Sequence, residues 1–208
     1  MLFRSAATPS PTVVSPVVYC EGAPALPLTA TGTGLLWYTT PTGGTGVTSL
    51  TPSTAVAGTF TYYVSQTTNC GESPRTLLVV TVNPIPAAPT TSPVDYCVGV
   101  APSPLTANGS NLTWYTSSTG GTGTSSITPS TATVGSTTYY VSQTLLGCEG
   151  PRTPLVVTIT GLPSAPVANP NSYTYCQNST TQTLTATGTS LLWYTTATGG
   201  TGSNSAPT

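Results

Sequence analysis

The chain is 208 residues long, with a formal net charge of −1 from three Lys+Arg and four Asp+Glu, and no His. That inventory leaves a Ser or Cys nucleophile without an imidazole to activate it, rules out a His-containing zinc site, offers Asp95 as the only Asp for a calcium cage, and provides no basic patch for nucleic acid. Catalytic residues, cofactor-binding residues and metal ligands are therefore expected to be none, and the chain is read as a non-enzyme.

Residues 1–8 form an N-terminal lead. Met1-Leu2-Phe3-Arg4 followed by SAATPSP has no apolar region of signal-peptide length. No stretch in the chain approaches the roughly 20 apolar residues of a membrane helix. The chain then repeats itself. Tyr19-Cys20, Tyr96-Cys97 and Tyr175-Cys176 recur at intervals of 77 and 79, as do Trp37, Trp114 and Trp193. Repeat one is read as 9–86, repeat two as 87–164 and a partial repeat three as 165–208. A period this long indicates tandem whole domains rather than solenoid turns.

Within each repeat the signals are all β: short runs of Val, Thr, Tyr and Leu between Gly, Pro, Ser and Asn clusters, at sandwich spacing. In chain order, a strand ending at Tyr19-Cys20 precedes the run LTATG at Leu28–Gly32 and the Trp strand LLWY at Leu35–Tyr38. The Gly-rich string Gly43–Gly46 is a turn, and no helix follows it as a nucleotide loop would need. The run TYYVSQT at Thr61–Thr67, a turn at Cys70 and the strand TLLVVTV at Thr76–Val82 complete the copy. The joints Pro84-Ile85-Pro86-Ala87-Ala88-Pro89 and Pro163-Ser164-Ala165-Pro166 are expected to be short, extended and stiff.

Comparison of the copies indicates which face is buried. Leu78, Val80 and Val82 match Leu155, Val157 and Ile159, whereas Leu77 becomes Pro154. Strand alternation then turns the first set inward and Leu77, Val79 and Thr81 outward. By the same parity Leu35 and Trp37 face the core and Leu36, replaced by Thr113, faces out with Tyr38. Trp37, Trp114 and Trp193 are expected in cores.

Five cysteines follow the repeat. Cys20 and Cys70 lie in copy one and Cys97 and Cys148 in copy two, with separations of 50 and 51. The simplest framework is one disulfide inside each domain, with the partner of Cys176 beyond the chain end. Disulfides imply an oxidising compartment. With no export signal visible, the chain is read as an internal piece of a longer precursor. Repeat three carries only the first half of a sandwich, whose open inner face is unstable alone.

These strings (Tyr-Cys, LTATG, LLWYTT, TGGTG, TPSTA at Thr51–Ala55 and Thr128–Ala132, TYYVSQT, Cys, PRT and LVVTVNP) resemble the immunoglobulin-like tandem repeats of large Bacteroidetes surface and secreted proteins. The likeness spans nearly all of 9–208. It implies tandem immunoglobulin-like β-sandwiches, export by the type IX route, and a place in long adhesins, including those of gliding bacteria. Similar repeats are also appendages of secreted enzymes. The order of Cys and strands departs from antibody-type domains, in which the bridge pins sheet to sheet. Here each disulfide is expected to clip the end of the first strand to the turn between the last two, at one pole, contributing about 4 kcal/mol.

Two surface features stand out. Tyr38, Tyr63, Tyr115, Tyr140 and Tyr194 are expected to face outward on adjacent strands, as an aromatic strip for glycans, other surface ligands or a neighbouring filament. The bland alternative is cross-strand packing. Glu72 with Arg75, and Glu149 with Arg152, are expected to be surface ion pairs. Low net charge leaves a Thr, Ser, Gly and Asn surface and permits self-association into filaments. The function read from all this is an extracellular, cell-surface structural and adhesive segment forming a stiff stalk or filament. The runner-up is a spacer module of a secreted hydrolase.

Overall fold

A computed structural model describes residues 7–169 and 172–207. Most of the expected N-terminal lead, residues 1–6, lies outside the described residues. The described residues hold strands and no helix, and the chain divides into two compact units, Met1–Ile159 and Thr160–Thr208.

The first unit contains one five-stranded sheet built twice. Copy one runs β1 (Val17–Cys20), β2 (Leu35–Tyr38), β3 (Gly58–Thr68), β4 (Gly71–Glu72) and β5 (Thr76–Asn83). Copy two runs β6 (Val94–Cys97), β7 (Leu112–Tyr115), β8 (Gly135–Leu145), β9 (Cys148–Glu149) and β10 (Thr153–Thr160). The strand order is β1-β5-β3-β2, with β4 against the end of β3, and copy two repeats it as β6-β10-β8-β7, with β9 against β8. β1 pairs with β5 in parallel, while β3 is antiparallel to both β2 and β5. Extended segments cover the sheet, tied by the bridge Thr12–Thr31 and a bond from the Leu28 amide to the Leu50 carbonyl. The matching ties in copy two are Thr90–Asn108 and Leu105 to Ile127.

The cores correspond position for position. Leu28, Trp37, Val64, Leu78, Val80 and Val82 form one; Leu105, Trp114, Val141, Leu155, Val157 and Ile159 form the other. The inward sets of β5 and β10 are buried, Leu77 is 47% exposed and Pro154 lies open, as strand alternation requires. Each such side chain contributes about 1.5–3 kcal/mol through burial.

The recurring strings are explained by ties within each copy. The Gln66 side chain donates to the Pro9 carbonyl (2.7 Å) and accepts from the Thr33 amide, and Gln143 does the same with Ala87 and Ser110. Thr76 and Thr153 hydroxyls donate to Pro11 and Pro89, each at 2.6 Å. Thr54 and Thr131 of TPSTA donate to Ala23 and Val100. Among the described residues, no buried side-chain nitrogen or oxygen lacks a partner, as close packing of polar groups requires.

The cysteine framework differs from the expected one. Cys20 bonds to Cys148, across 128 residues and between the two copies, so neither Cys20–Cys70 nor Cys97–Cys148 forms. The cause is strand direction. β1 runs parallel to β5, which sets Cys20 beside Asn83, while Val82 lies opposite Gly58 at the start of β3. Cys70 follows the other end of that 11-residue strand, about 33 Å away at the usual rise. The two cysteines thus occupy opposite poles of copy one. Copy two instead brings its β8–β9 hairpin to the Cys20 pole, where Cys148 is 1% exposed. The Asn83 side-chain Nδ2 donates to the Leu146 carbonyl at 2.9 Å. Gly150 stands where copy one has Ser73; a Cβ there would lie 2.6 Å from the Pro86 carbonyl oxygen, so the passing link requires glycine. Cys70, Cys97 and Cys176 lie outside the Cys20–Cys148 bridge and are exposed.

The second unit has β11 (Val167–Ala168) antiparallel to β12 (Ala186–Thr187), and paired backbone bonds between Trp193 and Ser203. The same double bond joins Trp37 to Val47 and Trp114 to Thr124. The Trp-to-Gly hairpin therefore forms in all three copies. Trp193, however, is only partly buried and lines an open depression with Leu184, Leu191 and Ala206, unlike Trp37 and Trp114 at 2% exposure.

Candidate functional site: the outer tyrosine face

The outer face of each sheet in the first unit carries a tyrosine pair in register, Tyr38 opposite Tyr63 and Tyr115 opposite Tyr140. The two strands are adjacent, as expected from the sequence. The outward exposure expected of the first tyrosine in each pair is not found: Tyr38 and Tyr115 are each 6% exposed. The Arg75 guanidinium lies 3.3 Å from the Tyr38 ring centre, and Arg152 lies 3.2 Å from that of Tyr115. Arg75 also donates to the Thr40 carbonyl at 2.7 Å; Arg152 donates to Ser117 and Gly120, both at 2.8 Å. A cation over a ring is favourable, and backbone carbonyls hold it there. Tyr63 and Tyr140 are half-buried, and Tyr194 in the second unit is 52% exposed.

Below the arginine, Tyr38 and Ser65 hydroxyls both donate to Glu72 Oε1 at 2.6 Å, and Tyr115 and Ser142 donate alike to Glu149. Arg75 and Glu72 are therefore linked through one tyrosine rather than forming the simple surface ion pair expected. The sequence held every member of this cluster at matching intervals. What hid it was that Ser65, Glu72 and Arg75 come from three separate segments that only the sheet brings over Tyr38.

The last glycine of TGGTG belongs to the same cluster. A Cβ on Gly46 would lie 2.7 Å from Tyr38 Cζ and Oη, and one on Gly123 or Gly202 would lie 2.8 Å from the ring of Tyr115 or Tyr194. Gly46→Ala is expected to displace the ring and cost about 1–3 kcal/mol. The cost should shrink in a Tyr38→Leu background, measured by urea unfolding in a double-mutant cycle.

The Ser65 and Tyr38 hydroxyls, with a smaller contribution from Arg75, hold the Glu72 carboxyl below the ordinary 4.5, and Glu149 is lowered in the same way by Ser142, Tyr115 and Arg152. A carboxyl with a depressed folded pKa lends stability that is complete above the unfolded value and lost as pH falls through the folded one. With no His in the chain, stability should be level from about pH 5 to 8 and decline below about 4.5. Unfolding midpoints across pH 2–8 test this, and a Glu72→Gln/Glu149→Gln double variant should flatten the acid slope.

Among the described residues no group of three or more His, Cys, Asp or Glu could hold a metal ion, and no helix is long and apolar enough to cross a membrane. The face presents the partly exposed rings of Tyr63 and Tyr140 beside the covered Tyr38 and Tyr115.

Comparison with known proteins bears on what this architecture is. The model of the family described as "Ig-like domain CHU_C associated" matches residues 9–84 and again 86–160. The chain belongs to that immunoglobulin-like domain family. The two matches fit tandem immunoglobulin-like repeats of Bacteroidetes surface proteins, and the fold is all-β and sandwich-like. No curated protein matches the chain. Among solved structures it is similar to the Bacteroides ovatus mixed-linkage glucan utilization locus protein SGBP-B in complex with a mixed-linkage heptasaccharide, at 14% identity and a TM-score of 0.27. That match covers 74% of this chain and 48% of the other, so the chain spans about half the length of that structure.

Proposed function

We propose that this chain is a non-catalytic structural and adhesive segment of a long extracellular protein, a stiff stalk of repeating modules on the bacterial surface. The modules are 9–86 and 87–164, with 165–208 opening a third, after the lead 1–8. The observation that carries this reading is the tied joint. Besides the peptide link, a disulfide and the Asn83–Leu146 hydrogen bond fasten successive copies. Two attachments beside a Pro-rich link resist bending far better than the link alone. A disulfide also fits an oxidising compartment outside the cytoplasm, and type IX export and a role in gliding adhesins belong to this same proposal. Ligand contact, to glycans or to other chains in a filament, falls to the less covered members of the outer-face set, Tyr63, Tyr140 and Tyr194, and is strengthened by repetition.

Immunogold labelling of source cells with an antibody to one complete repeat tests the proposal. Label strung along extended surface fibres is the expected result. Label confined to soluble secreted protein would replace the stalk with an appendage of a secreted enzyme.

A further inference from the structure

We infer that the Cys20–Cys148 disulfide is a tension strap, which carries axial load across the joint and shields everything between the two cysteines from extension. Cys20 is the last residue of β1, and Cys148 the first of β9. β1 runs toward the joint, since its end meets Asn83 and the hairpin of copy two. β10 runs away from it, because Thr153 lies opposite Val141 near the hairpin and Ile159 opposite Gly135 at the far end of β8. Load arriving along β1 therefore meets the sulfur bridge at the joint and leaves through β9 and β10.

Two covalent paths connect Cys20 to Cys148. Through the bridge their Cα atoms are 5.6 Å apart. Through the backbone they are 128 residues apart, about 450 Å when extended. The bridge is taut long before the backbone path is stretched, so it takes the load whatever the strength of the enclosed hydrogen bonds. β2 to β5, the Pro-rich link and β6 to β8 all lie inside the shielded loop. Only β1, β9 and β10 of the first unit remain in the direct path. An intradomain bridge would have left the link as the sole connection between copies; a bridge between copies makes the joint the doubly connected part.

This inference deepens the stalk reading, which supplies the load, but its mechanics depend on connectivity alone. The test is single-molecule stretching of the full chain between terminal handles, with peptide mapping of its disulfides. The oxidised chain should fall short of its reduced contour by about 450 Å. Adding a phosphine reductant to the folded, tethered molecule should release that length, and a Cys20→Ala/Cys148→Ala variant should show it without reductant. Full extension of the oxidised chain, or a mapped Cys20–Cys70 bridge, would overturn the strap. Should the variant fail to fold, reduction of the tethered wild type still decides. Surface labelling can fail while the strap holds, and the reverse, so the two readings are separable.

Discussion

A Cys20→Ser/Cys148→Ser variant should be less stable than the oxidised parent by about 5 kcal/mol, the chain-entropy value for a closed loop of this size. The bridge encloses 128 residues, more than twice the loop expected from an intradomain pair, and loop entropy grows with the logarithm of length. The difference from a 50-residue loop is therefore below about 1 kcal/mol. Stability alone would not distinguish the two pairings; cooperativity would. A bridge between copies ties their unfolded states together, so its loss should lower the stability of both, whereas an intradomain bridge acts on one. Guanidinium unfolding of the oxidised chain and the variant, followed by far-UV circular dichroism, measures the total. Proteolysis sites mapped through the transition show which copy opens. A loss confined to copy one would contradict the described bridge.

Trp114→Ala should cost about 3–5 kcal/mol, as removal of a large buried side chain from a close-packed core does. Trp37→Ala should cost about the same, because both side chains are 2% exposed and lie in equivalent core clusters, with Val64 and Leu78 in one copy and Val141 and Leu155 in the other. Trp193→Ala should cost less than about half as much, since that side chain is only partly buried and leaves little cavity. Urea unfolding of the three variants gives the ranking. Acrylamide quenching of the parent gives an independent reading, in which one tryptophan of three should be readily quenched. Equal costs at the three positions would mean that the third copy is closed over Trp193 in solution.

Low charge leaves few other handles on this protein. The carboxyls whose titration is coupled to the fold, Glu72 and Glu149, act through hydroxyls on an outer face. Their contribution is expected to be modest, below about 1 kcal/mol each at an exposed carboxylate. Packing and the bridge carry the larger effects.

By itself the sequence determined the class of fold, the repeat, and the inward face of each strand. Alternation is a local property, and two near-copies of one strand reveal through a Leu77-to-Pro154 replacement which side tolerates change. It also determined that Trp37 and Trp114 fill cores, since a large side chain beside a turn in a short sandwich has few other places to go. Three things were decided only in the tertiary structure. The burial of Tyr38 and Tyr115 depends on Arg75 and Arg152 reaching across from another segment, which no periodicity records. The need for Gly46 arises from a ring that comes to lie against it. The disulfide depends on the parallel pairing of β1 with β5, which carries Cys20 to the opposite pole from Cys70. In a tandem array each copy offers equivalent cysteines, so sequence spacing cannot separate a partner in the same copy from one in the next. Strand direction makes that choice, because it sets which ends of the strands can come within the few ångströms that a disulfide spans.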